Sequence, residues 1–74
     1  MKCQVLRFNN NSVALIDALE YFSNNYLCCC LLDNAGKPTD EILIFKFDNN
    51  NLIIVDDKKE LAELSELFYT RLAD

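Results

Sequence analysis

Histidine and tryptophan are absent from the 74 residues, and glycine and proline occur once each. Without histidine the commonest general acid–base is missing, and so is the usual nitrogen ligand of zinc. A single glycine, Gly36, leaves no room for a phosphate-cradling glycine loop. Ser12, Ser23, Ser65, Thr39 and Thr70 sit in no nucleophile motif. Basic charge is scarce too: seven Lys and Arg face twelve Asp and Glu, for a net charge of −5. Phosphate contacts by basic side chains dominate nucleic-acid affinity, so direct nucleic-acid binding is not expected. Attraction to anionic lipid is equally unsupported. No segment approaches the roughly 18 apolar residues of a membrane-spanning helix. Met1-Lys2-Cys3-Gln4 has no apolar run of the signal-peptide kind. The expectation is a cytoplasmic, non-enzymatic protein with reduced thiols and no cofactor.

Adjacent carboxylates do not change that reading. Asp40-Glu41 point apart if they lie in a strand. Asp56-Asp57 are better explained as a helix cap.

What is present is apolar. Hydrophobic residues make up 51% of the chain. The least polar run is Tyr26–Asp33, with Leu27 to Leu32 uninterrupted by a polar residue. As a strand it places Leu27, Cys29 and Leu31 on one face and Cys28, Cys30 and Leu32 on the other, so it should be buried on both. Neighbouring strand cysteines cannot converge on one ion, and free cysteine is among the most buried residue types. Cys28, Cys29 and Cys30 therefore read as small buried hydrophobes; Cys3 stands alone.

The rest of the chain, residues 1–74, reads as one domain arranged around that strand. Lys2–Phe8 suits a first strand, ended by a turn at Asn9-Asn10-Asn11. Ser12 is a good N-cap, and Leu15, Ile16, Leu19 and Phe22 recur at helical spacing, which predicts a helix to about Ser23 with Asp17 and Glu20 outward. After the central strand, Asp33–Glu41 is a loop broken by Gly36 and Pro38. Glu41–Asp48 and Leu52–Val55 predict an antiparallel hairpin joined by the tight connection Asp48-Asn49-Asn50-Asn51. In it, Ile42, Ile44 and Lys46 share one face, and Leu43, Phe45 and Phe47 the other. Asp57 followed by Glu60 resembles a capping box for a last helix, whose inward stripe is Leu61, Leu64, Phe68 and Leu72, widened by Leu67.

The predicted fold class is thus α+β, in the order β-α-β-β-β-α. A mostly antiparallel four-stranded sheet carries two helices packed on one face. The α-β-β-β-α part resembles the element order of double-stranded-RNA-binding domains. That family's basic helix N-terminus is replaced here by Asp56-Asp57, so the resemblance implies topology and not RNA binding.

Function has to be argued from surfaces. Glu60, Glu63 and Glu66 recur every third residue and occupy one arc of the last helix. With Asp56, Asp57 and Asp74 they offer a carboxylate row to a basic surface of a protein partner. In size and charge the chain is similar to small acidic inhibitors such as DNA mimics and anti-CRISPR proteins. The other expectation is a homodimer or assembly subunit. Two helices cover only one sheet face, so Ile42 and Ile44 on the remaining face should pair between copies.

Overall fold

Three pairs of consecutive residues with left-handed backbone set the architecture. They are Asn9-Asn10 (φ 47° and 66°), Phe22-Ser23 (51° and 65°) and Asn49-Asn50 (50° and 66°). Two positive φ values in a two-residue connection are the signature of the type I′ hairpin turn, whose twist matches that of paired strands. The computed structural model describes residues 4–73; Lys2, Cys3 and Asp74 lie outside them. Between the turns run β1 (Val5–Phe8), β2 (Asn11–Tyr21), β3 (Asn24–Leu32), β4 (Pro38–Asp48) and β5 (Asn51–Ile54), and the chain ends in α1 (Lys58–Ala73). The strands form one antiparallel meander in sequence order.

This corrects the expected α+β class. The protein is mostly β: the described residues form one helix and five strands rather than two helices and four strands. Because the segment after Ser12 is a strand, the likeness to double-stranded-RNA-binding topology falls with it. No parallel crossover exists among the described strands.

The missing first helix has a physical explanation. In β2 the register against β3 shifts between Leu15 and Asp17, leaving Ile16 as the extra residue of a β-bulge. Val13 and Leu15 lie on one face before the bulge, and Leu19 and Tyr21 lie on the opposite face after it. A period of two broken by one added residue gives Leu15, Ile16, Leu19 and Phe22, a spacing that imitates a helix. The Phe22-Ser23 turn and pairing on both sides of β2 override the helix propensity of its Ala, Leu and Glu residues.

The sheet has a core on each face, as the alternation in β3 requires. Tyr26, Cys28, Ile44 and Val55 pack with Leu64 and Phe68 beneath α1. On the other face Val13, Cys29 and Phe45 are fully buried, surrounded by side chains that include Leu6, Phe8, Leu31 and Leu52. Among the described residues no helix covers that second core. The strands curl into a half-barrel, in which Phe8 of β1 reaches Phe45 of β4 across that core. The curl covers the middle of the second face, while Phe47 and Ile54 at its β4–β5 side stay 41% and 38% exposed. Ile42 and Ile44 lie on the other side, facing α1: Ile44 is buried and Ile42 is 51% exposed.

Turn chemistry completes the frame. The Asp33 carboxylate accepts hydrogen bonds from the Ala35 and Lys37 amides, both at 2.9 Å, and Gly36 supplies the positive φ of 81°. Near the start of β4 the register shifts again, and the Thr39 hydroxyl donates to the Leu31 carbonyl at 2.7 Å across the irregularity.

Candidate functional site

Helix α1 begins at a cap made by Asp57. Its carboxylate accepts from the Lys59 amide at 3.1 Å, and its carbonyl accepts from the Leu61 amide at 2.8 Å. The cap sets the phase of the helix. Leu61, Leu64, Leu67 and Phe68 turn toward the sheet, and Glu60 and Glu63 fall beside the β2–β3 hairpin.

Two tyrosines meet those carboxylates. Tyr26, buried in the core beneath α1, donates its hydroxyl to Glu60 Oε2 at 2.9 Å. Tyr21 donates to Glu63 Oε2 at 3.4 Å. Glu60 therefore does not reach back to close a capping box; it is drawn sideways to the sheet. Burial, and then the neighbouring carboxylate, push both phenols above the usual tyrosine range. They stay protonated at neutral pH, acting as donors that aim the carboxylates while leaving their remaining lone pairs open.

The hairpin tip forms the other wall. Phe22 is 81% exposed and its ring lies tilted against Tyr21, with centroids 4.4 Å apart and planes at 58°. Its φ of 51° is a genuine outlier for a bulky side chain, since type I′ turns favour Asn and Gly. Together these groups line a cleft of about 350 Å³ that also takes in Asp57 and Lys59. Three carboxylates and one ammonium leave the cleft with a net charge of −2. An aromatic wall beside oriented carboxylates is chemistry that receives a cation: the rings take the stem or the face of a guanidinium, and the carboxylates take its N–H groups.

The five acidic residues singled out in the sequence divide. Asp57, Glu60 and Glu63 converge on the cleft. Glu66 lies one turn further on, against Tyr21, Glu63 and Leu67 in a smaller depression. Asp56 is exposed just before the cap. Sequence reasoning missed Tyr21, Phe22 and Tyr26. Reading Phe22-Ser23 as a hairpin turn is the signal that places all three beside the helix.

Asp17, expected on an outer face, lies toward the helix and pairs with Arg71, with Nε to Oδ2 at 2.8 Å and Nη2 to Oδ1 at 3.1 Å. That bidentate bond lowers the Asp17 pKa. The three consecutive thiols are free and buried. Cys29 belongs to the half-barrel core and Cys28 to the core beneath the helix. Burial raises the Cys28 pKa and pushes Cys29 up to about 11, which keeps both thiols protonated and unreactive at neutral pH.

Among the described residues no helix is long and apolar enough to cross a membrane. Compared with known proteins, the chain matches no family model, no curated protein and no solved structure.

Proposed function

We propose that the protein is a non-enzymatic interaction module that binds a protein partner through a basic surface of that partner, as an inhibitor or adaptor. The observation that carries this reading is the pairing of Tyr26 with Glu60 and Tyr21 with Glu63 in the cleft that exposed Phe22 also lines. Carboxylates that only solvate a helix need no oriented donors, and a strained, exposed phenylalanine at a hairpin tip contributes nothing to the core. Strain held at an exposed position is characteristic of recognition sites. An arginine or lysine of the partner sets its cation against Glu60 and Glu63 and its stem against Phe22. Asp56, Asp57 and Glu66 extend the negative field along the helix and speed encounter. Small acidic inhibitors, DNA mimics and anti-CRISPR proteins among them, are the class this chain is similar to in size and charge.

The test is affinity capture with the immobilised protein and with a Glu60→Lys/Glu63→Lys variant, at low and high salt, followed by identification of what is retained. The reading expects a protein with a basic surface, held by the wild type at low salt and lost with the variant or in high salt. Equal retention by both proteins at both salts overturns it.

A further inference from the structure

A second recognition element lies on the other side of the helix, at the free edge of β4. The ladder between β4 and β5 runs from Asp48↔Asn51 to Phe45↔Ile54, and the Val55 amide donates to the Ile44 carbonyl at 2.9 Å. Ahead of Ile44, among the described residues, no strand pairs with that side of β4. Backbone polar groups alternate direction along a strand, so the N–H and C=O of Ile42 point the same way as those of Ile44, out of the sheet. An unpaired strand edge is a template for another strand unless it is blunted.

This edge adjoins an apolar groove of about 290 Å³ between the sheet and the last turns of α1. Ile44 and Phe68 form its floor, and its rim is Ile16, Ile42, Tyr69 and Leu72, exposed by 42%, 51%, 74% and 56% respectively. Four large apolar side chains left in solvent around one groove are more than scattered surface residues.

Charge decides the occupant. Asp40 and Glu41, both exposed, immediately precede Ile42 on the edge. A second copy added in antiparallel register about Glu41 sets Glu41 against its own equivalent, which destabilises the pair. About Ile42, the copy's Asp40 runs into Ile44, whose edge Val55 already fills. The −5 charge per chain opposes both registers. A basic strand meets neither obstacle. We propose that the β4 edge at Asp40–Leu43 accepts an extended segment of a protein partner by strand addition, with an apolar side chain in the Ile42 groove flanked by lysine or arginine. This surface is separate from the cleft, and neither inference depends on the other.

The test is NMR titration of the ¹⁵N-labelled protein with the peptide acetyl-Lys-Val-Lys-Val-Lys-amide. Three controls accompany it: the analogue with Glu for each Lys, the analogue N-methylated on the central Lys and on both Val residues, and sedimentation equilibrium without peptide. The inference expects the amides of Glu41, Ile42 and Leu43 to shift and the Ile42 amide to exchange more slowly with the basic peptide. The N-methylated analogue, which loses one or two backbone hydrogen bonds, should bind about tenfold more weakly; the acidic analogue keeps those bonds but sets carboxylates against Asp40 and Glu41, and should also bind more weakly. Asp40→Asn with Glu41→Gln, both on the surface, should weaken the basic peptide roughly threefold or more. Shifts confined to Tyr21, Tyr26, Glu60 and Glu63 overturn the edge site and leave the cleft standing. A doubled mass without peptide names a second copy as the occupant and overturns it too. Absence of any shift at millimolar peptide does the same.

Discussion

The rings of Phe8 and Phe45 meet edge to face, with centroids 4.8 Å apart, although β2 and β3 lie between their strands. Neighbouring strands are spaced about 4.8 Å apart, so a flat sheet would hold these rings roughly three spacings from each other. Their contact measures how far the sheet has curled. Bulges in β2 and β4 increase local twist and bend, and the curl they allow lets the sheet bury its own second face. That is how a 74-residue chain with one helix in view supports two cores.

Removal of either ring should therefore open the half-barrel. Phe45, fully buried, should cost about 3–5 kcal/mol on Phe45→Ala, and the midpoint of thermal unfolding should fall by more than about 10 °C. Phe8→Ala should cost less, and the double mutant should show a coupling of about 0.5–1.5 kcal/mol. Strictly additive losses in chemical denaturation would show that the two strands do not meet.

The hairpin tip should trade stability against binding. Phe22→Asn puts a residue tolerant of left-handed backbone into the type I′ turn and should stabilise the protein by about 1 kcal/mol. The same change removes the exposed ring from the cleft. A calorimetric scan should show a higher midpoint together with weaker partner capture. A lower midpoint would mean that the phenylalanine is held by packing rather than strained.

The thiols of Cys28, Cys29 and Cys30 should label slowly in the native protein near neutral pH and quickly in denaturant, with the sites assigned by peptide mapping. Rapid native labelling of two of the three would contradict their placement. Alkali has a signed effect as well. Cys29 is pushed up to about 11, so the unfolded thiol ionises first. The stability it contributes is complete below the ordinary thiol pKa and is lost as pH rises through the folded value. Tyr21 and Tyr26, raised in the same direction, add to that loss above the usual phenol range.

Acid acts through Asp17. Its pKa is lowered chiefly by the Arg71 hydrogen bond, so its contribution is present above the unfolded carboxyl value and vanishes as pH falls through the folded one. Asp17→Asn should be less stable than the wild type at neutral pH, and the gap should close in acid. A gap that stays constant as pH falls would show that the ion pair contributes nothing through the charge of Asp17.

Much of this fold is legible in the sequence. The burial of Cys28, Cys29 and Cys30 on two faces, the hairpin between β4 and β5, the alternation in β4 and the stripe of Leu61, Leu64, Leu67 and Phe68 in α1 follow from period and turn chemistry; Leu72, expected in that stripe, is instead 56% exposed at the last turn. The helix assigned to Ser12–Ser23 does not survive, because one bulged residue at Ile16 converts a period of two into something close to 3.6. Phe22-Ser23 conceals its turn, since neither residue is the Asn or Gly that the conformation favours. The curl is written in no local pattern; it arises from contacts between residues far apart, such as Phe8 with Phe45. The cleft was legible as its acidic half only. Tyr21 and Phe22 acquire their place once the segment that carries them is a strand.

The central claim, recognition of a basic surface by the Tyr21, Phe22, Glu60 and Glu63 cleft, is tested most directly by the salt dependence of affinity for the captured partner. Binding is measured for the wild type and for Glu60→Gln/Glu63→Gln across a range of salt concentrations. The account predicts a wild-type affinity that falls steadily with salt, and a variant that binds more weakly at low salt with a shallower slope, the two converging as screening removes the attraction. Identical affinities and identical slopes for the two proteins would contradict it.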